Sequence, residues 1–85
     1  MTEFTMDDLR RILRACAGEA TPGILDTDIV DVPFRDLGYD SLAQLELASQ
    51  IGREYATSIP DDAAVALETP RAAIAYVNDR IAARV

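Results

Sequence analysis

The sequence predicts an all-α fold: a small bundle of three main helices plus one short helix, with a long ordered loop between the first and second helices. Three observations predict it. Apolar residues recur at three- and four-residue intervals in three separate segments, the spacing of a single helix face. Helix-entry signals stand before two of them, Thr5 three residues ahead of Asp8 and Thr69 directly ahead of Pro70. The 85 residues, 49% of them hydrophobic, suit one domain over 1–85 with a modest core.

The first helix starts near Thr5, where Thr5 and Asp8 have the spacing of a capping box, and Phe4 and Leu9 that of a hydrophobic staple. Leu9, Ile12, Leu13 and Cys16 form its apolar face. Arg10, Arg11 and Arg14 lie opposite, with Asp7 four residues before Arg11 as a favourable pair. Gly18 is the expected stop. Residues 19–40 read as a loop punctuated by Thr21-Pro22-Gly23, Pro33 and Gly38. A loop of that length is normally functional or disordered. Ile24, Leu25, Ile29, Val30, Val32, Phe34 and Leu37 can pin this one to a core, although Ile29–Phe34 reads equally as a short strand.

The second helix spans Ser41 to Tyr55. Leu47, Ala48, Ile51 and Tyr55 make one stripe; Leu42, Leu45 and Ser49 make a second on the opposite side, beside Glu46 and Arg53. Only one stripe can face the core of so small a bundle. Ile59-Pro60-Asp61-Asp62 turns into a short helix around Asp62–Leu67. The last helix begins with Thr69 as cap and Pro70 at its first position, and ends near Ala83, with Ile74, Val77, Ile81 and Val85 as its stripe.

Net charge is −7, and its distribution is informative. Residues 19–68 carry eleven acids against Arg35 and Arg53; residues 1–18 balance, and residues 69–85 are net positive by two. An acidic middle repels nucleic acid and anionic membranes and attracts basic partners, or serves solubility alone. The one cysteine, Cys16, excludes an internal disulfide and lies on an apolar face, as a core residue does. No signal peptide, transmembrane run or lipidation motif is seen, so a cytoplasmic protein is the expectation, and a lone domain of this kind is expected as a monomer.

Phe34-Arg35-Asp36-Leu37-Gly38-Tyr39-Asp40-Ser41-Leu42 stands out. Gly38 permits a tight turn, and Ser41 then falls in the first turn of a helix, where unpaired N–H groups and the positive dipole end gather. A phosphate ester there would meet a ready anion site. Leu42 and Leu45 lie beside it, with Asp36, Asp40, Glu46 and Glu54 as candidate rim charges. The plainer reading makes Ser41 a helix cap, with Gln44 completing a capping box.

Phe34-x-x-Leu37-Gly38-x-Asp40-Ser41-Leu42, followed by Leu45-Glu46-Leu47, resembles the attachment motif of acyl carrier proteins. The likeness runs from Thr5 to Ala83. Within the family the chain is most similar to carriers of dissociated (type II) aromatic polyketide synthases, through Asp7-Asp8-Leu9-Arg10-Arg11, Gly38-Tyr39-Asp40-Ser41-Leu42, Ser58-Ile59-Pro60-Asp61-Asp62 and Thr69-Pro70-Arg71. It departs from relatives in having Ala56-Thr57 where a glycine is common, and Gly52 and Arg53 where fatty-acid carriers have acids.

The resemblance implies 4′-phosphopantetheine covalently attached to Ser41, flanked by Asp40 and Leu42. The arm would carry malonyl and growing poly-β-keto chains as thioesters in antibiotic biosynthesis. Implied partners are a phosphopantetheinyl transferase, a ketosynthase/chain-length factor pair, a malonyl transferase and a ketoreductase, meeting Asp36, Leu45, Glu46 and Glu54. Arg71 and Asn78, seven apart on the last helix, are candidates for contact with the acyl chain; the alternative is that Arg71 snorkels to water and Asn78 bonds loop backbone. A fatty-acid or peptidyl carrier, or an unmodified helical interaction module, are the competing functions.

The chain is expected to be a substrate of enzymes and no enzyme itself. It has no histidine or lysine to serve Ser41 as base and no Gly-x-Ser-x-Gly elbow. Asp26-x-Asp28-x-x-Asp31 fails the calcium-loop pattern, with Asp31 at the sixth position and Leu37 at the twelfth, so no metal site is expected.

Overall fold

The computed structural model describes residues 3–19 and 22–83, and within them the fold is all-helical. Four α-helices follow one another: α1 (Met6–Ala17), α2 (Ser41–Tyr55), α3 (Asp61–Ala66) and α4 (Pro70–Ala82). Helix α1 opens as its sequence requires. The Thr5 hydroxyl accepts the Asp8 N–H at 3.2 Å, and the Asp8 carboxylate accepts the Thr5 N–H at 3.1 Å. Phe4 and Leu9 are fully buried, and Leu9, Ile12 and Leu13 form the buried face. The Phe4 ring meets Tyr55 of α2 edge-on, with centroids 5.3 Å apart.

The long connection is ordered by burial, and no strand forms in it among the described residues. It makes two single-turn 3-10 helices, Ile24–Asp26 and Phe34–Leu37, and buries Leu25, Ile29, Phe34 and Leu37. Its backbone finds partners without a neighbouring strand: Val32 N–H bonds Ile29 C=O, Phe34 N–H bonds Glu68 C=O, and Val30 C=O accepts Arg71 N–H. The arginines of α1 hold its outer side. Arg10 donates to Leu25 C=O at 2.6 Å, and Arg14 pairs with Asp26 at 3.1 Å. The expected Asp7–Arg11 pair does not form. Asp7 takes Arg10 at 3.0 Å, one position nearer, because Arg11 reaches across to Glu54 of α2 at 3.1 Å.

On α2, Leu47, Ala48 and Ile51 are buried, whereas Leu42 on the second stripe is 60% exposed. Helix α3 starts one residue earlier than the sequence suggests, at Asp61, with Pro60 in extended geometry before it, and ends at Ala66. Thr69 caps α4 by accepting the Ala72 N–H, and Pro70 fills its first position. Val77 and Ala73 are buried, with Ile74 and Ile81 packed at the edge of the core; Val85 lies outside the described residues. Among the described residues no helix is long and apolar enough to cross a membrane.

Candidate functional site

The approach to α2 is built residue by residue. The turn Phe34–Leu37 closes on Gly38, whose φ of 94° is a conformation that side chains disfavour. Tyr39 N–H bonds Phe34 C=O at 3.0 Å. Its buried ring sends the hydroxyl to Gly18 C=O at 2.7 Å, tying the start of α2 to the end of α1. Asp40 follows in extended geometry and caps the helix, its carboxylate accepting the Ala43 N–H at 3.0 Å.

Ser41 is therefore the first helical residue and not the cap, which corrects the capping reading. Gln44 closes no capping box; its amide turns towards α3 and donates to Ala64 C=O at 3.3 Å and Leu67 C=O at 3.1 Å. Ser41 is exposed. Neither its hydroxyl nor the N–H groups of Ser41 and Leu42 have a hydrogen-bond partner among the described residues. An exposed nucleophile beside two free amides, at the positive end of a four-turn helix, suits a tethered phosphate.

The family profile described as the phosphopantetheine attachment site matches residues 7–77. The chain belongs to this family. The carrier is 46% identical over 81 residues to the actinorhodin polyketide synthase acyl carrier protein of Streptomyces coelicolor, covering 95% of this chain and 94% of that one. It is 46% identical over 78 residues to the oxytetracycline polyketide synthase acyl carrier protein of Streptomyces rimosus, covering 92% and 82%. Solved structures agree. The 3-oxo-butyl form of the actinorhodin carrier superposes with a TM-score of 0.89 at 43% identity, over 99% of this chain and 98% of that one. The holo form of the same protein gives 0.85 at 43% identity over the same shares. The protein is thus an acyl carrier of the polyketide synthase type, a carrier and not a catalyst.

The other predicted residues separate into groups. Asp36, Asp40, Leu42 and Glu46 are exposed around the N-terminal half of α2, and Leu45 is half-buried among them. Glu54 lies two turns beyond Glu46 and is held by Arg11. Arg71 and Asn78 have separate structural partners. Arg71 grips Asp31 with two hydrogen bonds, at 2.6 and 3.1 Å, in an exposed pair that holds the Asp31 carboxyl below its usual range. Asn78 accepts Phe4 N–H at 2.7 Å and donates to Phe4 C=O at 2.9 Å, fixing the segment that enters α1. Burial, reinforced by the Glu46 carboxylate, pushes the Cys16 thiol up, away from thiolate chemistry.

Two residues to which sequence reasoning gave another role or none shape the site. Tyr39 anchors the turn, and its signal was a lone aromatic between a turn glycine and the cap. Gln44 stands in the wall of a small apolar hollow between α2, α3 and α4, of about 20 Å³, with Phe34, Leu47, Ile51, Ile59 and Leu67 among its neighbours there. Its signal was a long amide one helical turn after Ser41.

Proposed function

We propose that Ser41 is the attachment point of 4′-phosphopantetheine, flanked by Asp40 and Leu42, and that the carrier bears malonyl and poly-β-keto chains in an aromatic polyketide pathway of the cytoplasm. The arm supplies a terminal thiol on which acyl groups ride as thioesters. The observation that carries the reading is the free, exposed hydroxyl of Ser41 beside the unbonded amides of Ser41 and Leu42, with Asp40 taking the capping role. Ser41 Oγ forms a bond to a phosphorus of coenzyme A, the pyrophosphate P–O bond breaks, and 3′,5′-ADP leaves. The hydroxyl proton goes to the transferase, since the carrier has no histidine or lysine to take it.

The chain works with polyketide synthase enzymes. The specific partners we propose are a phosphopantetheinyl transferase, a ketosynthase/chain-length factor pair, a malonyl transferase and a ketoreductase. They would meet Leu42 and Leu45 within the rim of Asp36, Asp40 and Glu46. Glu54, already paired with Arg11, contributes at the far end of α2. Arg71 and Asn78 reach an acyl chain only by sharing or leaving their present partners.

Mass spectrometry after incubation with coenzyme A and a broad-specificity transferase tests the assignment. The expected result is one added arm on the protein and none on Ser41→Ala. An arm on the Ser41→Ala protein, or none on either, rejects it. Reversing Glu46 to Lys should slow acyl transfer and reduce its salt sensitivity, because rim charges mainly steer association; an unchanged rate removes Glu46 from the docking surface.

A further inference from the structure

Tyr39 is the buried residue nearest to Ser41 in the chain, at 4% exposure; Asp40, Ser41 and Leu42 are all exposed, and the next buried residue of α2 is Leu47. The placement of the first turn of α2 therefore depends on what Tyr39 holds. The N–H groups of Ser41 and Leu42 tie that turn to nothing among the described residues. The capping bond from Asp40 to Ala43 is local and moves with the turn. The Tyr39 hydroxyl, by contrast, crosses to the end of α1 and donates to Gly18 C=O at 2.7 Å. Gly18 has the backbone for that bond. It ends α1 with φ 72° and ψ −177°, a conformation open in practice to glycine alone. Its N–H stays bonded to Arg14 C=O and closes the helix, while its own carbonyl turns to meet Tyr39. A Cβ on Gly18 would meet no atom of the described residues within 4 Å, so glycine supplies conformation there and not space.

We propose that Tyr39 is a positioning residue for attachment of the arm, acting through Gly18 to hold the first turn of α2 where Ser41 Oγ meets the phosphorus of coenzyme A. The inference rests on the carrier reading of Ser41. Attack at phosphorus needs the oxygen in line with the breaking P–O bond, and a misplacement of about 1 Å costs on the order of 100-fold in rate. Without the Tyr39 hydroxyl the ring still packs, but nothing fixes its depth against α1, and several placements of Ser41 compete. A partly buried hydrogen bond of this kind shifts such a balance by a factor of about five. Leu45 and Glu46, in the proposed docking surface, stand in the second turn of α2. A carrier with a loosened first turn therefore still binds the transferase and presents Ser41 correctly less often. The loss falls on kcat and leaves KM unchanged.

The test is steady-state arm transfer from coenzyme A by a broad-specificity transferase, with the full-length carrier as varied substrate, at a temperature where circular dichroism shows each protein fully folded. Tyr39→Phe, which keeps the ring and removes the hydroxyl, should lower kcat about fivefold at unchanged KM. Gly18→Ala, which must leave the glycine-only conformation and withdraw the acceptor, should lower it by a similar factor. The double variant should lose no more than either single one, because both break the same bond. An unchanged kcat in Tyr39→Phe, a change in KM alone, or two losses that multiply overturns the proposal. A purely structural bond would lower Tm and leave kcat of the folded protein as it was. Should the variants fold poorly, the native protein still decides. Its Ser41 and Leu42 amide order parameters should equal those of Leu47 and Ile51 in the body of α2, and lower values show a first turn that is not held and overturn the proposal. A native protein that acquires no arm overturns the carrier reading and this one together; a native protein that acquires it no faster than Tyr39→Phe overturns only this one.

Discussion

Ala56 ends α2 in the left-handed region, with φ 51° and ψ 45°, the one non-glycine residue with positive φ among the described residues. Both Ala56 and Thr57 donate their N–H groups to Gly52 C=O, so the conformation closes the helix and sends the chain towards α3. An L-residue held there costs about 1–2 kcal/mol, because its Cβ crowds the following carbonyl. Glycine removes that cost and brings greater freedom in the unfolded chain, which takes back about 0.4–1 kcal/mol. Ala56 is exposed, so no packing is lost. Ala56→Gly should therefore stabilise the carrier by about 0.5–1 kcal/mol. At roughly 4–8 °C per kcal/mol for a domain of this size, Tm rises by about 2–8 °C. Thermal unfolding followed by circular dichroism reads it directly, with Ala56→Val as the opposite case, since a β-branched residue suffers more in the same conformation. A Tm that falls in Ala56→Gly, or that does not drop in Ala56→Val, refutes the assignment of the left-handed end to residue 56.

Gly52→Ala should destabilise by about 1–3 kcal/mol in urea unfolding, because a Cβ there would sit 2.8 Å from the Thr57 carbonyl oxygen; helix propensity alone would give a gain of about 1 kcal/mol, so the sign decides. Asn78→Ala should cost about 1–3 kcal/mol in the unmodified protein by freeing both Phe4 backbone groups, and a loss seen only with an acyl chain attached would contradict that structural role. The Thr5 backbone N–H, aided by the Thr5 and Tyr55 hydroxyls and by Arg11, holds the Asp8 carboxyl below its ordinary value despite partial burial. Its folded pKa lies under its unfolded one, so its contribution is complete above about pH 4 and is lost as pH falls through the folded value. Asp8→Ala should lower Tm near neutral pH and have much less effect once the pH has fallen through the folded value; an equal drop in both ranges would show that the charge contributes nothing.

The helices were legible because their signals are local. Thr5 with Asp8, Thr69 with Pro70, and the stripe Leu47, Ala48, Ile51 each declare themselves within a turn or two. The site was legible to within one residue. Asp40 and Ser41 are adjacent and both cap well, so spacing alone could not say which takes the role. The long-range contacts were not legible. Arg71 finds Asp31 forty positions away, Asn78 finds Phe4 seventy-four away, and Arg10 finds a loop carbonyl. Charge and spacing say that such groups need partners, but only the packing of α1 and α4 against the loop says which. The loop between α1 and α2 shows the same limit. Its apolar residues promised order, whereas the choice between strand and 3-10 turn depended on whether another strand lay beside it.

The position of the cap decides where a free hydroxyl stands beside free amides, and the four helix starts show why. The first helical residues are Met6, Ser41, Asp61 and Pro70, so a hydroxyl stands at that position in α2 alone. The residues before them are Thr5, Asp40, Pro60 and Thr69. Thr5 and Thr69 have hydroxyls at a helix N-terminus, but each is consumed in accepting a backbone N–H. Ser49 is exposed on α2, yet in mid-helix the neighbouring amides are already bonded to carbonyls four residues back. A free hydroxyl and free amides therefore coincide at Ser41, and they do so because Asp40, one residue earlier, has taken the capping bond that Ser41 would otherwise make. Had the helix begun one residue later, Ser41 Oγ would accept a backbone N–H as Thr5 Oγ1 does, and the hydroxyl would no longer stand unbonded beside free amides.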